Sequence, residues 1–276
     1  MNWFRFILSH SIFIAFCAVG LTLQTYQLLQ VKQDWYVYGF IFFATLLSYN
    51  IYWLLSAYFY QTGNKQSILL KKEAVKLFLV CIAIPAILYC FKSVQFNMGA
   101  IIIVVLLSSL YFLPIISFRV FKFSFSMGIF KTIILALVWT LVTALLPLQK
   151  ALYELNMAEV LLLGNRFMFM LLLCIIFDTR DIAIDQVRGQ ESLATYFTAK
   201  SLFYVVWSLV ICLILLNNYY AFNGINFKQS AALQISLLGT VMGYKYSTTA
   251  RGYIFYYFFI DGLMLFSALA TFIASI

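Results

Sequence analysis

The chain has 276 residues, of which 64% are apolar and only 10% are charged, whereas soluble globular domains carry about 25% charged residues. With 29 Phe and 19 Tyr, too few polar residues remain to cover the apolar surface of a soluble core. These proportions exclude a soluble enzyme, a nucleic-acid-binding module and a disordered tail, and they predict a polytopic α-helical membrane protein. The net charge of +9 is explained by the cytoplasmic loops of such a protein, so no nucleic-acid partner is expected.

Nine apolar stretches meet or approach the ~20 residues that a transmembrane helix needs. In chain order they cover residues 6–29, 36–60, 73–91, 98–118, 127–147, 157–177, 199–217, 231–247 and 252–274. Eight crossings is the alternative count, because polar residues and glycines dilute the stretch 231–247. No Pro- or Gly-rich linker divides the chain. We therefore expect one all-α domain over residues 1–276, a transmembrane bundle of about nine helices.

Basic residues predict the orientation of the bundle. They flank the start of the chain and the connections after the second, fourth, sixth and eighth stretches: Arg5, Lys65, Lys71, Lys72, Lys76, Arg119, Lys122, Lys131, Arg180, Arg188, Lys200, Lys245 and Arg251. The opposite connections have Lys32, Lys92, Lys150 and Lys228. Because cytoplasmic loops are enriched in Lys and Arg, we expect the N-terminus in the cytoplasm and the protein in the cell (inner) membrane.

Acidic residues are concentrated in one segment. The chain has nine of them, and four lie within residues 178–191. Asp178, Asp181 and Asp185 have the spacing i, i+3, i+7, which on a helix places all three within about 60° of one face. Carboxylates so close repel one another unless a cation lies between them, and Mg²⁺ prefers oxygen ligands together with substrate phosphates.

A basic residue follows the aspartates. Arg188 lies one turn beyond Asp185, and a guanidinium binds phosphate oxygens in a bidentate manner. The alternative is a solvated helix end, in which Arg180 and Arg188 balance the aspartates. The scarcity of acidic residues elsewhere, and the direct continuation from an apolar stretch, favour a metal–diphosphate site.

The segment resembles the second aspartate-rich motif of the UbiA superfamily of intramembrane prenyltransferases. That pattern is Asp-x-x-Asp-x-x-x-Asp, then a basic residue, Gly and Thr-Leu-Pro. Here Asp178, Asp181 and Asp185 precede Arg188-Gly189 and Ser192-Leu193-Ala194, with Ser for Thr and Ala for Pro. The family has nine transmembrane helices with this motif after the sixth, on the cytoplasmic side, which agrees with the topology expected above.

The family's first motif, Asn-Asp-x-x-Asp-x-x-x-Asp after the second helix, is degenerate in this chain. Asn50 matches the leading Asn, but Ile51, Leu54 and Tyr58 occupy the three acidic positions. Half of the family's metal-binding carboxylates are therefore missing. Three explanations are open: one metal suffices, basic residues such as Lys131 replace the other, or the protein no longer catalyses transfer.

The resemblance implies transfer of a prenyl group from a prenyl diphosphate to an aromatic or lipid acceptor dissolved in the bilayer. It implies Mg²⁺ as cofactor, held by the catalytic residues Asp178, Asp181 and Asp185. Arg188, Lys131 and Asn50 are the expected diphosphate-binding residues. Whether the protein is an enzyme stays open, and the alternative is a non-catalytic relative that binds or moves an isoprenoid or another lipid.

Other polar and aromatic residues have two interpretations each. The single histidine, His10, is expected to be a packing or hydrogen-bonding residue. Arg166 and Asp261 lie inside apolar stretches, where they either line a polar chamber or pair with other helices. The aromatic residues near the end of the second stretch are typical of a membrane interface, or stabilise an allylic cation: Tyr49, Tyr52, Trp53, Tyr58 and Tyr60.

Overall fold

The computed structural model describes residues 3–60, 73–120, 128–188, 193–222, 226–247, 249 and 251–276. Within these ranges the chain is all-helical and contains no strand. The helices are α1 (Trp3–Ser9), α2 (Ile12–Leu28), α3 (Trp35–Tyr60), α4 (Ala74–Ser93), α5 (Met98–Val120), α6 (Gly128–Thr140), α7 (Met157–Arg188), α8 (Leu193–Tyr196), α9 (Ala199–Phe222), α10 (Phe227–Ser247) and α11 (Asp261–Ile273). A π turn (Leu141–Leu145) and a 3-10 turn (Leu146–Leu148) extend α6, a further 3-10 turn spans Leu152–Glu154, and a second π turn (Phe255–Ile260) leads into α11.

The helices have the length and composition of a multi-pass membrane protein. Among the described residues, six helical segments are long and apolar enough to cross a membrane, or seven if α1 and α2 form one bent span. In α5 the described side chains form an apolar segment over Met98–Phe112. The all-α, polytopic architecture is thus confirmed, while nine crossings, the orientation and the choice of membrane stay predictions.

Four helices begin at the same end of the bundle with an Asp or Asn cap. A cap satisfies a backbone N–H that has no partner in the first turn of a helix. Side-chain oxygens of Asp34, Asn97, Asn156 and Asn226 accept from backbone N–H groups of α3, α5, α7 and α10, at 2.9–3.1 Å. At α7 the bond is reciprocal, since the Asn156 N–H donates to the Glu159 carboxylate at 2.9 Å. Caps of this kind determine where each helix starts.

The first span is broken where a single helix over residues 6–29 is predicted. The axes of α1 and α2 differ by 68°, and Ser11 at the break has a positive φ of 62°. The Asn50 side-chain amide donates to the His10 carbonyl at 3.1 Å and to the Leu46 carbonyl at 2.8 Å. His10 itself is buried, with Nδ1 2.8 Å from the Phe6 carbonyl oxygen, which confirms its expected structural role.

The centre of the bundle lies around α6 and α7. In each of these spans 56% of the most apolar stretch is buried, against 11% in α4. Elsewhere glycine permits close approach: a Cβ at Gly20 of α2 would lie 2.9 Å from Leu265 Cδ1 of α11. The aspartate-bearing end of α7 therefore continues from the most enclosed part of the bundle.

Replacing Asn50 by Ala should destabilise the protein. The substitution removes the only described side chain that bonds the His10 carbonyl at the helix break, and an unsatisfied buried group costs about 1–3 kcal/mol. Unfolding in mixed micelles by SDS titration measures the change. The control is Ser109→Ala, whose hydroxyl bonds the Val105 carbonyl of its own exposed helix surface. Equal stabilities of the two variants would contradict the role given to Asn50.

Thiol labelling tests the orientation. In a variant without the five native cysteines, Lys32→Cys and Lys200→Cys place exposed thiols at opposite ends of the bundle. A membrane-impermeant maleimide should label residue 32 in intact cells and residue 200 only after lysis, because basic loops face the cytoplasm. The reverse pattern would invert the topology.

Candidate functional site

The aspartate segment belongs to one continuous helix. Helix α7 runs to Arg188, about eleven residues beyond the predicted end near residue 177. The helical register needed to bring Asp178, Asp181 and Asp185 onto one face is therefore present. The side chains of Asp181, Asp185 and Arg188 lie outside the described part of the structure, so the site is built below from Asp178 and its neighbours.

Asp178 is bonded to helix α6. The Thr132 hydroxyl donates to Asp178 Oδ2 at 2.6 Å, a charge-assisted bond between the two central helices. Lys131, which directly precedes Thr132, is one of the predicted diphosphate-binding residues. Its Nζ lies 5.8 Å from the centre of the Tyr111 ring. The predicted Asp178 and Lys131 are thus brought to the same end of the bundle, through residues that the sequence analysis did not single out.

Arg180 lies against three aromatic rings. Its Cζ is 5.4 Å from the ring centres of Phe177 and Tyr256 and 5.1 Å from that of Tyr257. A cation over an aromatic face is stabilised by the ring quadrupole, more so where water is excluded. Arg180 is thus packed on aromatic rings at the aspartate-bearing end of α7.

A series of aromatic rings connects Lys131 to Arg180. The hydrogen bond between Thr132 and Asp178 connects the same two segments a second time and so closes the loop. Ring centres lie 5.6 Å apart for Tyr111 and Tyr52, 5.6 Å for Tyr52 and Trp53, and 6.4 Å for Trp53 and Tyr257. We call this set the cation–aromatic loop; its members are Lys131, Thr132, Asp178, Arg180, Tyr257, Trp53, Tyr52 and Tyr111. It joins α3, α5, α6, α7 and the π turn before α11, and it places two cations against aromatic faces, with the carboxylate of Asp178 bonded to Thr132.

The π turn Phe255–Ile260 supplies two of the rings beside Arg180. Successive side chains diverge by about 100° on a regular α-helix, yet both Tyr256 and Tyr257 face the guanidinium. Tyr253 stacks on Tyr257 with ring centres 4.3 Å apart. The π turn therefore brings two adjacent tyrosine rings onto one guanidinium.

Asn50, the third predicted diphosphate-binding residue, is fully buried. An amide has two N–H donors, and both are used by backbone carbonyls, of His10 and Leu46. No donor is left for a phosphate in this conformation. Its carbonyl oxygen has no hydrogen-bond partner among the described residues.

The described side chains include no group of three His, Cys, Asp or Glu that could hold a metal ion. Asp178 is the one motif carboxylate within this part of the structure. The donor type suits Mg²⁺, and the unbroken helix supports a common face for Asp178, Asp181 and Asp185. The magnesium site stays a prediction.

Arg166 belongs to a separate polar cluster, about 18 Å from Asp178 along α7. It is 2% exposed, and its Nη2 lies 3.4 Å from Thr25 Oγ1. Next to it Asn165 donates to Asn217 at 2.7 Å, and Gln24 donates to Ser267 Oγ at 2.9 Å. The cavity here, about 10 Å³, holds about one water molecule. This cluster joins neighbouring helices and has no space for a prenyl chain.

No protein-family model and no curated protein matches the chain. The likeness to the UbiA superfamily therefore stays a resemblance, carried by the aspartate motif and by the helical architecture.

Replacing Thr132 by Val should weaken the contact between α6 and α7. Valine keeps the shape but removes the donor to Asp178, and a hydrogen bond to a charged group contributes about 1.5–3 kcal/mol. The matched control is Thr140→Val in the same helix, where the equally buried hydroxyl bonds only the Ala136 carbonyl of its own helix. SDS titration should show the larger loss for Thr132→Val; equal losses would mean that the Asp178 bond adds nothing.

Proposed function

We propose that this protein is an integral-membrane prenyltransferase similar to the UbiA superfamily. It transfers a prenyl group, an alkyl group other than methyl, from a prenyl diphosphate to an aromatic or lipid acceptor. The observation that carries the proposal is the cation–aromatic loop, which brings the aspartate-bearing end of α7 together with Lys131, Arg180 and several aromatic faces.

The cation–aromatic loop contains groups suited to both parts of a prenyl diphosphate: basic residues for the diphosphate and aromatic faces for the prenyl chain. A diphosphate is a multiply charged anion, and Lys131 and Arg180 supply positive charge near Asp178. The allylic carbon next to it becomes electron-deficient when the C–O bond breaks, and aromatic faces stabilise such a cation. Tyr111 adjoins Lys131 and Tyr257 adjoins Arg180, and Tyr52 contacts the Tyr111 ring.

The basic residues and the aspartates both act on the diphosphate leaving group, in different ways. Heterolysis of the allylic C–O bond releases diphosphate, whose negative charge Lys131 and Arg180 stabilise more strongly than that of the intact ester. A carbon or oxygen of the acceptor then forms the new bond to the prenyl cation and gives up its proton to the released diphosphate. When Mg²⁺ is bound by Asp178, Asp181 and Asp185, it supplies Lewis-acid charge neutralisation of the diphosphate.

The degenerate first motif supports a second candidate function. Ile51, Leu54 and Tyr58 provide no carboxylate, and the donors of Asn50 bond the backbone at the helix break. A protein that binds or moves an isoprenoid without transferring it would not need the first motif. The second aspartate motif and the cation–aromatic loop would be sufficient for binding. Binding and turnover must therefore be measured separately.

The binding experiment uses purified protein in lipid nanodiscs with radiolabelled prenyl diphosphates from short to long chains. We expect binding that requires Mg²⁺, is abolished by EDTA, and falls at least about tenfold in Asp181→Ala/Asp185→Ala, as expected for damage to a metal site. The control is Asp34→Asn, which changes a carboxylate at the opposite end of the bundle. Binding that is indifferent to EDTA and to the double substitution would contradict the metal site.

Release of diphosphate in the presence of a membrane lipid extract separates the two functions. An enzyme releases diphosphate and forms a labelled, more apolar product, and Arg180→Gln should lower this rate more than binding. A non-catalytic binder retains the labelled diphosphate unchanged. Absence of binding at every chain length would contradict both functions.

A further inference from the structure

An apolar groove runs along the outer surface between α10 and the π turn. Its volume is about 290 Å³, and the residues that line it are Gly239, Gly243, Tyr246, Phe255, Phe259, Ile260 and Leu263. Tyr246 and Phe259 are more than half exposed, so the groove opens toward the lipid and not into the bundle. It is distinct from the cation–aromatic loop and from the Arg166 cluster.

Two glycines create the groove. Gly239 and Gly243 form a Gly-x-x-x-Gly spacing on α10, which lets membrane helices approach closely. A Cβ at Gly243 would lie 2.9 Å from Ile260 Cδ1, and one at Gly239 would lie 3.2 Å from Leu263 Cδ2. The floor of the groove therefore lies where α10 closely approaches the π turn and α11. Larger apolar side chains form its walls.

A guanidinium lies at one end of this groove. Arg251 Nε donates to the Tyr246 carbonyl at 3.0 Å, and its Cζ is 5.5 Å from the Tyr246 ring and 5.9 Å from the Phe255 ring. Both rings line the groove. Nε is one of five N–H donors of an arginine, Arg251 is exposed, and the exposed Lys245 lies in the last turn of α10. The position of the cation is thus fixed relative to the apolar surface.

We propose that this groove binds an anionic glycerophospholipid of the bilayer. One acyl chain lies on Gly239, Gly243 and Leu263, and the phosphate is bound by Arg251. The charge complementarity is specific to an anionic amphiphile: the groove alone suits any hydrocarbon, while a guanidinium at its end favours a headgroup with net negative charge. No residue of the aspartate motif takes part, so the inference does not depend on the proposed function.

Native mass spectrometry of the full chain tests the proposal, with dioleoyl phosphatidylglycerol and dioleoyl phosphatidylcholine as probes of identical chains. We expect the anionic lipid to be retained more strongly. Arg251→Gln should lower its apparent affinity about fivefold, the effect of one basic residue near an anionic headgroup, and leave phosphatidylcholine unchanged. Arg251→Lys keeps the charge and should keep most of the binding, which separates charge from misfolding.

Two further controls complete the test. Lys200→Gln removes an exposed cation on another helix and should leave retention unchanged. Dihexanoyl phosphatidylglycerol should bind more weakly than the dioleoyl lipid, because its chains cover less of the groove. Equal retention of the two dioleoyl lipids, an equal loss in Lys200→Gln and Arg251→Gln, or equal binding of short and long chains would each overturn the proposal.

Discussion

The structure depends on one constraint: burying a polar group in an apolar bundle is costly unless a partner inside the protein satisfies it. The backbone carbonyl of His10, at the break between α1 and α2, accepts a hydrogen bond from the Asn50 amide. Thr132 donates to Asp178 between the two central helices, and the cation of Arg180 lies against three rings. Each of these contacts joins separate helical segments, so satisfying the polar groups also determines which helices meet.

The same constraint explains the character of the candidate site. The guanidinium of Arg180 lies against three ring faces, and a cation in such a position is stabilised by the ring quadrupoles. The cation–aromatic loop therefore combines positive charge with a surface that suits an electron-deficient hydrocarbon. That combination distinguishes it from the Arg166 cluster, where amides and hydroxyls surround a space of about one water molecule.

Sequence patterns predicted what depends on composition and helical period. Apolar run lengths gave the multi-pass helical class, and the spacing of Asp178, Asp181 and Asp185 required the helix that α7 continues to provide. The break at His10 and Ser11 was not predicted, because the three polar residues Ser9, His10 and Ser11 interrupt the apolar run only briefly and the stabilising donor, Asn50, is 40 residues away. Thr132 gave no signal either, since its role comes from the packing of α6 on α7. Arg180 was visible as a charge, but its aromatic neighbours on the π turn are distant in sequence.

The break between α1 and α2 also affects the surrounding bilayer. Helix α2 has 17 residues, a length of about 25 Å, against a hydrocarbon thickness of about 30 Å. Helix α1 turns away by 68° and carries Trp3, which is 83% exposed and of the type that anchors at headgroup depth. A span shorter than the hydrocarbon core is accommodated by local thinning of the bilayer or by flanking residues that reach the interface. The break therefore leaves Trp3 as a residue that can anchor a shortened span at headgroup depth.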